Sequence, residues 1–298
     1  MQYILICTLF LFSFLLSALT PLTVSTAEAI PFSHQEKQND DIELASHKAL
    51  YEISLISKSS GSQMVNIKGK MFYDTKDVCH GWVTNHQFNL RYEYADTPGM
   101  QILSDFSTYE ASNGEDFSFS TRRQRNGKLY EEYRGNALID DEDAEAIFSV
   151  PEDLTFELTN ETLFPIEHTK ELIRQARDKT KFFKTVVFDG GDNEGPVYIN
   201  SFIGKELSQK QILKSDQYDE NLISARAWPV RMAVFPTLSD TATAEYEMTM
   251  VFHENGVVSD MHIDYHSFSV RQKLVALEKI DDNGCDTGHK TSNQPKKD

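Results

Sequence analysis

From Ala49 to Ile280 the chain consists mostly of segments in which apolar and polar residues alternate, and that period of two commits it to sheet. ALYEISLI (49–56) sets Tyr51, Ile53 and Leu55 against Leu50, Glu52 and Ser54. GWVTNHQFNLRYEY (81–94) puts Trp82, Phe88, Leu90, Tyr92 and Tyr94 on one parity. Similar runs follow in ILSDFSTYEA, FSFSTRRQ, KLYEEYRG, TVVFDG, PVYINSFIGKEL, AWPVRMAVF, AEYEMTMVFHENG and the long stretch 257–280. Asn113-Gly114, Asn126-Gly127 and Asn255-Gly256 stand between such runs, where residues tolerant of positive φ reverse the chain into hairpins. The pattern predicts one large antiparallel sheet of about ten to fourteen strands, curled to protect its edges.

One segment departs from the period. Phe164-Pro165-Ile166-Glu167-His168 leads into TKELIRQARDKTKF, with helical spacing at Ile166, Leu172, Ile173 and Ala176. Pro165 suits a first helical turn, and Lys179 and Lys181 suit a C-terminus. One main helix is therefore expected over about residues 165–180, central to the curled sheet and able to plug its inner face. DDEDAEAIF (140–148) reads as a second short turn. No repeat of fixed period and no interdomain linker interrupts 44–285, which reads as one domain.

Residues 3–19 are almost wholly apolar, with no acid or base before Glu28, and Ala27-Glu28-Ala29 fits the small-x-small cleavage pattern. Residues 1–29 thus read as a signal peptide cleaved after Ala29, and the mature protein as periplasmic. A retained membrane anchor is the alternative, at close to the minimum spanning length. The polar ends, 30–43 and 286–298, read as a flexible segment and a disordered tail. Cleavage removes one acid, leaving a charge of 29 − 45 = −16. That balance disfavours nucleic acid and bare anionic membrane as partners.

Cleavage also removes Cys7, leaving Cys79 and Cys285. In an oxidising compartment two cysteines are most simply a disulfide. Closing a loop of 285 − 79 = 206 positions would stabilise the fold by roughly 5 kcal/mol in the chain-entropy model. Competing readings are two unpaired thiols and a Cys79 made reactive by His80, although Cys79 reads as part of an early strand, where neighbours point to opposite faces. His262, Asp264 and His266 share a strand face, yet positions i and i+4 of a strand lie about 13 Å apart, too far to hold one metal ion. They read as an exposed polar face. No G-x-S-x-G, H-E-x-x-H, P-loop, Rossmann or C-x-x-C motif occurs, so no catalytic residue, metal or cofactor is assigned. A concave apolar interior would suit an acyl chain as well as a structural scaffold.

In order along the chain, further short motifs accompany these features. They are Ala45-Ser46-His47-Lys48-Ala49-Leu50-Tyr51, Cys79-x-Gly81-Trp82, Thr108-x-Glu110, Phe164-Pro165-x-x-His168, Asp189-Gly190, Trp228-Pro229-Val230, Asn255-Gly256-Val257, Asp264-Tyr265-x-x-Phe268 and Cys285. Together, from about Leu44 to Cys285, they resemble the EipB-like cell-envelope integrity family of exported alphaproteobacterial proteins. The resemblance implies a periplasmic β-spiral, an incompletely closed barrel with helical material at its centre and a Cys79–Cys285 disulfide. It implies an architecture similar to lipoprotein carriers, a role in envelope integrity without a defined reaction, and a periplasmic tetratricopeptide-repeat protein as partner. A lipid or lipoprotein acyl chain is the alternative occupant. Family members tend to read Asp-Tyr-Gly-Asp-Phe where this chain has Asp264-Tyr-His-Ser-Phe268.

Overall fold

The computed structural model describes residues 42–140, 143–238 and 243–281. The chain first runs up and down through eight strands. These are β1 (His47–Lys58), β2 (Met64–Asp77), β3 (Gly81–Tyr94), β4 (Met100–Ala111), β5 (Asp116–Arg125), β6 (Lys128–Ile139), β7 (Ala144–Val150) and β8 (Thr155–Glu157). Then come β9 (Thr162–Leu163), helix α1 (Pro165–Arg177), β10 (Phe182–Val187), β11 (Val197–Ile203) and the short helix α2 (Glu220–Ile223). The chain continues through β12 (Ala227–Pro236), β13 (Tyr246–His253), β14 (Val258–Tyr265) and β15 (Phe268–Lys279). Asn126 and Gly127, at φ 50° and 77°, both take the positive φ that a two-residue hairpin turn requires.

All fifteen strands form one sheet, in the order β8 to β1, then β15 to β9. The first and last strands are thus neighbours in the middle, paired from His47↔Lys279 to Lys58↔Phe268. The free edges are β8 and β9, and the sheet is not closed into a barrel. Laid flat, fifteen strands would hold those edges about 67 Å apart. Yet Glu157 and Thr162 are only five residues apart, a reach of about 17 Å. The sheet must curl until its edges nearly meet. β9 and β10 pair in parallel, and α1 is the crossover that makes this possible.

Alternation places the core as expected. Tyr51, Ile53, Met71, Leu274 and Leu277 pack with Ile212 and Leu222 under β1, β2 and β15. Leu172, Ile173 and Ala176 of α1 pack on Val187, Ile199, Trp228, Val230 and Phe252, so the helix lies against the sheet from β10 to β13. A third cluster is aromatic and spans the gap between the wings: Phe117, Phe119 and Phe148 from β5 and β7 meet Phe164 and Phe188 from around α1 and β10.

Three expectations need correcting. Residues 144–148 are strand, not turn: Ala146 and Phe148 are buried while Glu145 and Ile147 face away, and the preceding acids had masked this alternation. The strand count is fifteen because β8 and β9, at three and two residues, are too short to show a period. Cys79 lies in the tight turn between β2 and β3, with φ 73°, rather than on a strand.

Candidate functional site

The inner side of the curl holds an open-mouthed cavity of about 400 Å³, within the size range of small-molecule sites. One wall is an aromatic ladder on the inward parity of β2, β3 and β4. Tyr73 meets His86 edge-on at 4.8 Å, and His86 meets Phe106 at 5.6 Å. Tyr246, Met248, Met261 and Ile263 face it from β13 and β14. Methionines and rings give an adaptable apolar lining.

A few polar groups interrupt that lining. Burial pushes the His86 imidazole down to about 4, opposed by Asp74, so the ring is neutral at pH 7. His47 is also held below its ordinary range by burial. Its Nδ1 lies 2.7 Å from the Ala45 carbonyl and must carry the proton there, which leaves Nε2 an acceptor. That Nε2 and the Gln272 Oε1 are buried with no hydrogen-bond partner among the described residues. Arg123 donates to Glu131 at 2.6 Å and to the Gly191 carbonyl at 2.9 Å. The site offers an apolar volume flanked by two residues with unsatisfied acceptors, which suits an apolar molecule bearing a hydroxyl or amide donor.

The cavity exists because long-range contacts hold the two wings together. α1 has no side-chain cap of its own at Phe164. Glu110 of β4 replaces one, accepting from the Ile166 N–H at 2.7 Å and the Glu167 N–H at 2.8 Å. Only 2% of Glu110 is exposed, and burial pushes its carboxyl up to about 7 despite those two donors. The loop after β10 docks on β5, where the Thr121 hydroxyl donates to the Gly190 carbonyl. Gly190 has φ 67°, and a Cβ there would stand 2.2 Å from the Phe119 ring. Only glycine fits.

The sequence-predicted residues lie away from this cavity. Cys79 is exposed, and its N–H donates to Asp77 at 2.7 Å. Cys285 falls outside the described residues, as do 1–29, most of 30–43 and the tail 286–298. His262 and Asp264 are exposed on β14, and His266 sits in the two-residue turn to β15. The His-Ser departure is therefore a hairpin turn. Among the described residues no group of three or more metal-ligating side chains is assembled, and no helix is long and apolar enough to cross a membrane. Sequence reasoning missed the buried pair His253 Nε2 and Ser259 Oγ, 2.9 Å apart. Their exposures of 0% and 1% leave no room for a substrate carbonyl, and burial holds His253 down at about 4.

The model of the EipB-like family matches residues 38–281, which include the cavity, α1 and every strand. The chain belongs to the EipB-like family. A curated relative, the cell envelope integrity protein EipB of Brucella abortus (strain 2308), is 28% identical over 251 residues, covering 83% of this chain and 88% of the relative. The crystal structure of a beta-barrel-like protein of a domain of unknown function from Brucella abortus matches with a TM-score of 0.74 and 28% identity. That match covers 80% of this chain and all of the other. The structure gives two of the motif sets a spatial meaning. Thr108-x-Glu110 and Phe164-Pro165-x-x-His168 meet at the start of α1, and Asp189-Gly190 docks on Phe119. An acid on the inward parity of a strand was the signal that could have marked Glu110.

Proposed function

We propose that this protein supports cell-envelope integrity as an exported, non-enzymatic scaffold, processed after Ala29 and working in the periplasm. Its membership in the EipB-like family, with a relative named for envelope integrity, carries this reading. The scaffold acts through protein contacts, with a periplasmic tetratricopeptide-repeat protein as the partner that the family resemblance suggests.

A Cys79–Cys285 disulfide belongs to the same proposal. Ser46 supports it by tying Asp77, two residues before Cys79, to Ile280, five residues before Cys285. The Ser46 hydroxyl accepts from the Asp77 N–H at 3.0 Å, and its carbonyl accepts from the Ile280 N–H at 2.9 Å.

The test is genetic. Deleting the gene should sensitise the bacterium to detergent and cell-wall inhibitors, and a copy lacking residues 2–29 should fail to restore resistance. Full rescue by that leaderless copy would overturn the proposed location. The cavity favours a second reading, a carrier or sensor of lipid or lipoprotein acyl chains. Native mass spectrometry of protein taken from its own periplasm should then show a retained lipid. Protein that carries none, and whose melting temperature no lipopeptide shifts, would remove that reading.

A further inference from the structure

A second concavity opens on the surface where α1 ends, between the starts of β10 and β12 and the end of β11. Its volume is about 390 Å³. Its apolar part is made by Ala176, Ile203, Trp228 and Phe202. Phe202 is 52% exposed, and Phe182, its partner in register on β10, is 60% exposed. Phe182 and Phe202, side by side on the outer face of the sheet, leave apolar surface open to water next to the groove.

The groove is also basic. Lys179, Lys181, Lys205 and Arg226 line it against a single acid, Glu206, a local balance of 4 − 1 = +3 in a chain of net charge −17. Arg226 neutralises that acid at 2.8 Å, reaches Glu254 at 3.2 Å, and lies over the Trp228 ring at 4.9 Å. The three lysines form no ion pair among the described residues. The carbonyl end of α1 accounts for cations at 179 and 181. It does not account for Lys205 or for the bare rings.

The geometry points to a binding groove for a single anionic amphiphile, a long-chain carboxylate or an alkyl phosphate. The alkyl tail lies along Phe202, Ile203 and Trp228, and the anionic head sits among Lys179, Lys181 and Lys205. A charged head on an apolar tail is the chemistry that matches unpaired cations around an apolar floor. A neutral apolar ligand would leave the lysines unused, and a small inorganic anion would leave the rings exposed. This groove is separate from the interior cavity and does not depend on the carrier reading.

Trp228 supplies the readout, since the chain has only one other tryptophan, Trp82. A bromine-labelled fatty acid, kept below its micellar concentration, should quench Trp228 emission of W82F saturably. Three weak surface charge contacts together are worth about tenfold in affinity, so K179E/K181E/K205E should bind about tenfold more weakly. The brominated alcohol of the same chain length should show a similar loss. Anionic vesicles carrying brominated phospholipid form the second arm: quenching by them assigns the head to bilayer lipid, and quenching by monomers alone assigns it to a free acid. Absence of quenching in both arms, or equal quenching by the alcohol or of the charge-reversed variant, would overturn the proposal. Should W82F fail to fold, a photoreactive fatty acid added to the wild-type protein must label residues 176–181 or 202–206. Labelling confined to other peptides would overturn it too. Loss of the interior cavity's ligand, by contrast, would leave the labelling of residues 176–181 or 202–206 intact.

Discussion

Glu110 allows the joining of the two wings to be measured with a proton. Its carboxyl is raised from 4.5 to about 7, first by burial, with the two helix N–H groups pulling the other way. Between those values the folded state binds more protons than the unfolded state, so stability falls as pH rises through the window. The full shift of 2.5 units corresponds to about 3 kcal/mol, of which about 2.5 kcal/mol is expressed between pH 5 and pH 8. E110Q cannot ionise, and it can accept from only one of the two N–H groups while turning its own NH₂ toward the other. At pH 5 it should be less stable than wild type by about 1–3 kcal/mol, the cost of one unsatisfied buried donor. By pH 8 the wild type has lost its ionisation share and the variant has not, so the gap should narrow by about 2.5 kcal/mol or reverse. Urea denaturation of both proteins at four pH values from 5 to 8 reads this as a difference, in which the other titrating groups cancel. Parallel profiles for the two proteins would refute the reasoning, because Glu110 would then titrate alike in the folded and unfolded chains.

The remaining expectations concern the same contacts. His168 is buried in α1 and held down at about 4, so the unfolded state binds more protons between pH 4 and 6.5 and stability is lost as pH falls. H168L should therefore lose about 2 kcal/mol less than wild type between pH 8 and pH 5 in urea titrations. Phe164 is 1% exposed and stacks on Phe117 at 4.7 Å, so F164A should cost about 3–5 kcal/mol in chemical denaturation. G190A meets both a positive φ and the Phe119 ring, and should lower the urea midpoint by the equivalent of at least about 2 kcal/mol. If Cys79 and Cys285 are joined, non-reducing peptide mapping recovers them as one linked fragment, and C79S costs about 2–4 kcal/mol. Recovery of both as separately alkylated peptides would contradict the link.

The sheet was legible because its side chains repeat every two residues over runs of seven to fourteen, as in β3, where Trp82, Phe88 and Leu90 keep one parity. The helix was legible from Pro165 and the spacing of Leu172, Ile173 and Ala176. Its end was placed late, because Lys179 turns into the left-handed region at φ 61° and Thr180 closes back on the Gln175 carbonyl. The His266–Ser267 turn escaped notice because neither residue carries the Asn-Gly signature. The rest was hidden for a different reason. Glu110 and Ile166 are 56 positions apart, Thr121 and Gly190 are 69 apart, and β1 meets β15 across more than 200. No local period encodes which distant segments meet. The cavity was anticipated only as an apolar interior, and its two unsatisfied acceptors depend on how neighbouring strands fall around them.

The place where the sheet parts has a consequence for how the molecule could be divided. At that parting the four residues Leu158 to Glu161 are the covalent link between the β1–β8 half and the β9–β15 half, while the β1–β15 ladder joins the halves elsewhere by backbone hydrogen bonds. A single cut there would leave two polypeptides still zipped along that ladder, a split protein whose pieces could be expressed apart and asked to find each other.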